Sequence, residues 1–296
     1  MEQVLLIYNP GAGAGVVTMH LDKVIAGFAE REILVLPFRL GGPVDLDRAL
    51  TELPMRTFSK IVIAGGDGTI NLVVNNLVKR DIHTPIAILP AGTANDLASL
   101  LGIPSTIDGM IETALGDHYT KLDVGIAGSH YFVNVLAIGM LVDISQKTDP
   151  IAKNTLGLLA YYLRGLAELP FARATQLRIR SAEMDIDTKV SAVIIMNGRS
   201  AGGFKNVAPF SEVSDGLLDV IVFKRLILPD LLPVLFSVMA GQHTKNKHVV
   251  YFKTSRLRIE SDVPEVNTDV DGERGDQLPL DVGILPSRLL VNTPPV

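Results

Sequence analysis

No cysteine occurs among the 296 residues. Disulfides and thiolate-bound metals are excluded, which suits a reducing compartment such as the cytosol. Positive charge is not in excess: 27 Lys and Arg against 32 Asp and Glu leave a formal net charge of −5. That balance gives no general attraction to nucleic acid. The opening residues Met1-Glu2-Gln3-Val4-Leu5-Leu6-Ile7 carry no basic segment and run straight into a strand, so no signal peptide is predicted. The greasiest later run, Leu226 to Met239, is broken by Pro229, Asp230 and Pro233 and is too short to span a bilayer. Low-complexity segments and internal repeats are missing as well. His20, His83, His118, His130, His243 and His248 show no metal-ligand spacing and read as surface or structural residues.

Apolar residues make up 47% of the chain, and mean hydropathy is +0.32. Such a chain needs large buried sheets or keeps an apolar surface exposed, which could meet a membrane peripherally or form a homodimer. Its length suits two domains, each with its own core. In the first part, strand-like and helix-like segments alternate: Val4 to Tyr8, Met19 to Phe28, Ile33 to Phe38, Leu46 to Leu53, Lys60 to Ala64, Asn71 to Val78 and Ile86 to Leu89. That order predicts an α/β domain with a parallel sheet over residues 1–122, with 284–296 a candidate to complete it. From Leu122 onward short strands dominate: Tyr131 to Val135, Thr175 to Ile179, Val190 to Met196, Leu217 to Phe223 and Arg256 to Glu260. A β-rich sandwich domain is expected over 123–283, with one long helix from Asn154 to Leu169.

Gly65-Gly66-Asp67-Gly68-Thr69 follows the buried-strand signal of Ile61 to Ala64 and precedes a helix. A glycine turn at a helix start presents bare N–H groups to an anion, usually phosphate. An aspartate there would repel phosphate unless a divalent cation such as Mg²⁺ lay between them. A nucleoside triphosphate with Mg²⁺ is therefore expected at Gly65, Gly66, Asp67, Gly68, Thr69 and the first helical residues Ile70 and Asn71. Thr69 could equally cap the helix. Asn9-Pro10-Gly11-Ala12-Gly13-Ala14-Gly15 ends the first strand. Asn9 can brace that loop, and its glycines leave main chain open to phosphate or ribose. Gly92 and Thr93 follow the strand that ends at Pro90, while Asn95 and Asp96 suit a turn or helix cap. In a parallel sheet these motifs converge at the carboxyl ends of strands.

The ordered set Asn9 to Gly15, Gly65 to Thr69, Pro90 to Ala98 and Asp215-Gly216-Leu217-Leu218-Asp219-Val220 resembles the diacylglycerol kinase catalytic domain of soluble bacterial lipid kinases. Asn197-Gly198-Arg199, Ala208-Pro209 and Asp271-Gly272-Glu273 extend the resemblance over nearly the whole chain. Gly-Gly-Asp-Gly-Thr alone is shared with NAD kinases; the Pro90 to Ala98 stretch sets the lipid kinases apart. The resemblance implies a Rossmann-like, NAD kinase/phosphofructokinase-like first domain and transfer of the γ-phosphate of ATP to a lipid hydroxyl. It implies a nucleotide contact for Thr93 and a structural Mg²⁺ on Asp215 with main-chain oxygens of Glu212 and Leu217. It also implies a base supplied by Asp271-Gly272-Glu273, with Glu273 as proton acceptor and Asp271 its close partner. A cytoplasmic enzyme transiently at the inner face of the membrane follows. The acceptor stays open among diacylglycerol, ceramide-like lipids, phosphatidylglycerol and polyprenol. A kinase for a soluble acceptor such as NAD and a non-catalytic nucleotide or lipid binder are the rivals. One departure stands out: Pro37 to Val44 lacks the family's usual threonine, so contacts to base or ribose should differ around Phe38 and Arg39.

Overall fold

The computed structural model describes residues 1–42, 45–139, 142, 174–200 and 206–295. The expected helix from Asn154 to Leu169, with Pro43 and Val44, lies outside them. Two compact units emerge: Met1–Leu122 with Ser287–Val296, and Asp123–Pro286.

The first unit is a parallel sheet with helices. Strands β1 (Glu2–Tyr8), β2 (Ile33–Arg39), β3 (Lys60–Gly65) and β4 (Ile86–Pro90) lie in the order β2-β1-β3-β4. Every pairing is parallel. β3 is buried at every position, as an inner strand covered on both faces must be, and its Ile61-Val62-Ile63 run suits that place. β2 alternates in exposure and holds Pro37, which an edge strand tolerates. The last apolar run returns here: β15 (Leu280–Asn292) places Val291 parallel to Ile86 of β4.

Helices α1 (Val16–Met19), α2 (Leu21–Ala29), α3 (Leu46–Glu52), α4 (Asp67–Lys79), α5 (Asp96–Leu100) and α6 (Ile107–Leu115) connect the strands. α4 buries Ile70, Val73, Val74, Leu77 and Val78, a stripe at helical spacing. Asp67 in its first turn and Lys79 in its last complement the helix dipole.

The second unit is β-rich. β9 (Asp185–Met196) is its axis: its first half pairs with β8 (Thr175–Ser181), and its second half with β7 (Val135–Gly139) and β10 (Leu218–Lys224). β10 continues to β11 (Val249–Thr254), β8 to β12 (Arg256–Ser261), and β7 to β13 (Thr268–Val270) and β14 (Glu273–Arg274). All these pairings are antiparallel. β5 (Tyr119–Ala127) carries the chain across the unit boundary and pairs with β6 (His130–Phe132).

β9 and β10 bury both faces. Val193, Ile195, Val220 and Val222 enter one apolar cluster, while Ala192, Met196, Ile221 and Phe223 enter another. Val234 and Val238 of α7 (Leu228–Met239) pack against the second. The greasiest run is thus a surface-packed helix. Among the described residues no helix is long and apolar enough to cross a membrane.

Candidate active site

Strand order positions the first cluster. From β1 the chain goes to β2 on one side, while β3 and β4 lie on the other, so the order reverses between β1 and β3. Open α/β sheets bind ligands at the carboxyl ends of strands beside such a reversal. Tyr8 registers with Ala64, and Gly65 with Pro90. Asn9, the glycine-aspartate turn and the Pro90 loop therefore leave the sheet side by side.

Asn9 ties these loops together. Its N–H donates to Ala64 O at 2.9 Å, its Oδ1 accepts from Gly11 N–H at 3.0 Å, and its Nδ2 donates to Thr69 Oγ1 at 3.1 Å. Thr69 is buried in the first turn of α4; the cap position belongs to Gly66, and no side chain caps the helix. That settles the helix-cap reading of Thr69 against it. In the third loop Asn95, at φ +49°, accepts from Gly92 N–H at 2.8 Å and donates back to Gly92 O at 2.9 Å.

Several glycines prove to be points where main chain meets main chain. A Cβ on Gly92 would lie 2.6 Å from Gly66 Cα, and one on Gly13 only 2.3 Å from Ala91 O. Gly68 differs: it is exposed, and nothing lies within 4 Å of where its Cβ would be. Gly11, Gly13 and Thr93 are exposed too, whereas Ile70 and Asn71 are buried beneath the turn. Ile70 sends its side chain to the core and its N–H to Gly66 O at 3.0 Å, so it supports the turn.

Asp67 is the charged group at this cluster. Burial pushes its carboxyl above the ordinary carboxylate range; the backbone N–H groups of Leu97, Asp96 and Asn95 oppose that rise. Its Oδ1 is buried and has no hydrogen-bond partner. A buried carboxylate oxygen without a donor is costly unless a cation meets it. The residues here therefore fit a divalent ion held by Asp67 beside uncapped N–H groups of α4.

In the second unit Asp271 and Glu273 part company. Asp271, at φ +50°, accepts from the N–H groups of Val133 (2.8 Å), Asn134 (3.1 Å) and Val135 (2.7 Å), and its own N–H donates to Val135 O. Gly272 N–H donates to Asp269 Oδ1 at 2.8 Å. Glu273 stands exposed at the start of β14. The turn thus has one carboxylate committed to the backbone and another open to solvent.

A buried network joins this turn to Asp215. Asn197, fully buried, donates from Nδ2 to Asp123 O at 2.7 Å and to Val133 O at 3.2 Å. Asp123 Oδ2 accepts from Gly216 N–H at 2.7 Å. Asp215 accepts from Leu217 N–H at 3.0 Å and from Lys253 Nζ at 2.6 Å. Lys253 also lies 3.7 Å from the buried Asp219, whose other oxygen takes the Tyr251 hydroxyl. Burial drives the Asp219 carboxyl upward, against Tyr251 and Lys253; burial and the Asp219 carboxylate push the Tyr251 hydroxyl up.

The Mg²⁺ site expected on Asp215 with main-chain oxygens of Glu212 and Leu217 remains a proposal; the cation seen at Asp215 is the Lys253 ammonium. Leu217 N–H faces the Asp215 carboxylate, Glu212 is exposed, and the Lys253 ammonium meets the carboxylate charge. Among the described residues no group of three or more His, Asp or Glu is placed to hold a metal. Asp123, Tyr251 and Lys253 carry no motif. Their signal is cross-strand register, which sets Asp219 opposite Lys253.

Comparison with known proteins agrees with both units. The diacylglycerol kinase catalytic domain profile matches residues 3–127, and the YegS C-terminal NAD kinase beta sandwich-like domain profile matches 134–293. A diacylglycerol kinase of Bacillus subtilis (strain 168) is 31% identical over 280 residues, covering 94% of this chain and 92% of the relative. Another, from Staphylococcus haemolyticus (strain JCSC1435), is 31% identical and covers 98% of this chain and 87% of its own. A crystal structure of a diacylglycerol kinase from Bacillus anthracis str. Sterne superposes with a TM-score of 0.80 at 25% identity, covering 99% of this chain and 98% of that one. With an α/β first unit, a β-sandwich second unit and relatives matched almost end to end, this chain belongs to the diacylglycerol kinase catalytic domain family.

Proposed function

We propose that this chain is an ATP-dependent lipid kinase that transfers the γ-phosphoryl group to the hydroxyl of diacylglycerol, giving phosphatidic acid and ADP. The observation that carries the reading is the glycine-built crevice at the β1/β3 reversal, where a buried oxygen of Asp67 has no hydrogen-bond donor. Uncapped N–H groups in the first turn of α4, with exposed main chain at Gly11, Gly13 and Gly68, bind and orient the triphosphate. Asp67 would hold Mg²⁺ beside those N–H groups. When bound, that ion neutralises charge on the phosphate oxygens.

Glu273 accepts the hydroxyl proton as the new O–P bond forms and the bond to the β-phosphate oxygen breaks. Asp271 keeps that turn in place through Val133 to Val135. No covalent intermediate on the protein is needed, because positioning and charge neutralisation suffice for this reaction class. The protein acts in the cytoplasm at the inner membrane face.

Labelled ATP, Mg²⁺ and a total lipid extract test the reading directly, with NAD in a parallel reaction. Labelled phosphatidic acid is the expected product. Labelled NADP, label in another lipid, or tight ATP binding without transfer would each overturn the assignment. Replacing Asp67 by Ala should lower turnover by about 10³-fold or more, with circular dichroism showing an intact fold. Wild-type rates in that variant would remove Asp67 from the metal site.

A further inference from the structure

Helix α7 is apolar on the wrong side for a solvated helix. Val234 and Val238 point inward to the cluster on β9 and β10. The opposite face carries Pro229, Pro233, Phe236 and Ala240, spaced i, i+4, i+7 and i+11, and all four are exposed. Phe236 is 60% exposed and Ile227, just before the helix, 53%. A surface helix ordinarily turns polar residues to water. This stripe has none.

Cations frame it. Lys224 and Arg225 lead into the helix, and Lys245, Lys247 and His248 follow it. The fold gathers them: Lys224 N–H donates to His248 O at 2.9 Å, and Arg225 N–H to Lys189 O at 2.9 Å. The His248 ring lies 3.8 Å from Asp230 in the first helical turn, so the segment after α7 runs back to its start. Lys189, Lys224, Arg225, Lys245 and Lys247 are exposed, and among the described residues none of them forms an ion pair. The whole chain has a formal net charge of −5, so this basic rim is local and runs against its average.

We propose that α7 and its rim dock on an anionic lipid bilayer: Ile227 and Phe236 enter the interface, and the flanking lysines meet phosphate headgroups. The choice of a bilayer rests on the lipid-kinase reading and on charge. A symmetric contact between two copies would set the same unpaired cations against each other, whereas anionic lipids complement them. An exposed apolar helix face with a cationic border is the pattern of an interfacial helix.

Flotation without nucleotide tests the proposal on vesicles of phosphatidylcholine alone or mixed with phosphatidylglycerol. The wild type should bind the mixed vesicles, and binding should weaken as salt rises. F236S should weaken it by roughly tenfold or more, the loss of one inserted large apolar side chain. Joint charge reversal K245E/K247E should do so on a similar scale, on the order of tenfold or more. Both variants should keep wild-type turnover on a water-soluble short-chain diacylglycerol. Wild type that ignores anionic vesicles, or F236S that binds like wild type, overturns the proposal. So does F236S if it converts a dimer to a monomer in sedimentation while leaving vesicle binding intact. Vesicle binding by a protein that transfers no phosphate would sink the kinase reading and leave the docking surface standing.

Discussion

In the first unit the loops at the strand ends are built of main chain, held in shape by Asn9 and Asn95 and by glycines that let loops touch. In the second, buried and half-buried side chains organise the interior: Asp123, Asn197, Asp215, Asp219, Tyr251, Lys253 and Asp271 are linked through hydrogen bonds to one another and to main chain and by ion pairs. Main-chain donors at a helix start are fixed by the helix and carry no charge to desolvate. Buried carboxylates must find partners, and here those partners come from distant parts of the chain. In the proposed reaction, phosphate binding and proton transfer fall to units built by different physics.

The sharpest way to break this comparison lies within the Asp271 turn. Exchanging Glu273 for Gln should lower turnover by roughly 10²–10⁴-fold and leave the melting temperature almost unmoved. Asp271→Ala should instead destabilise the fold by about 2–4 kcal/mol, because several backbone N–H groups lose a charged acceptor. Reversed outcomes in kinetics and thermal melts would move the base to Asp271.

Next comes Lys253. Lys253→Met strands Asp215 and the buried Asp219, and urea unfolding should register a loss of about 2–4 kcal/mol. In an Asp67→Ala background a chelator should leave the midpoint unchanged, since an ammonium already compensates the pair. A midpoint that falls with chelator in that background would place a metal at Asp215.

Two glycines sharpen the main-chain side. Gly92→Ala forces a methyl against Gly66 Cα and should cost about 1–3 kcal/mol. Gly68→Ala meets open space and should stabilise by up to about 1 kcal/mol, as Gly to Ala does in a helix. It should nonetheless weaken ATP binding in calorimetry, because the methyl enters the path of the phosphates.

The smallest effect is a pH slope. Burial raises the folded-state pKa of Asp67 above the ordinary 3.8, so the native protein retains a proton that the unfolded chain has released. The stability this group contributes is full below the unfolded value and fades as pH rises through the folded one. Asp67→Asn should abolish that component. The difference in unfolding free energy, wild type minus variant, should therefore decline with rising pH from about pH 4, the ordinary carboxylate range. A flat difference would mean that Asp67 is well solvated.

Much of the first unit was legible. Apolar strands such as Ile61-Val62-Ile63 and the stripe from Ile70 to Val78 carry their periods in the sequence, and glycine after a strand marks main chain that must come close. What those glycines approach was not legible: Gly66 and Gly92 face each other only because β3 and β4 are neighbours. The partner of Asp215 was not legible for a related reason. Asp-Gly-Leu names a turn, but the ammonium that meets Asp215 comes from Lys253, 38 positions away and set by the register of β10 against β11.

By itself, then, the sequence determined which segments become strands and helices, and which turns present bare backbone, because propensity, periodicity and glycine's missing side chain act locally. Only tertiary structure decided which carboxylate has a lysine, which has backbone donors, and which keeps an oxygen without any. Those partners are distant in the chain, and burial makes their absence or presence decisive.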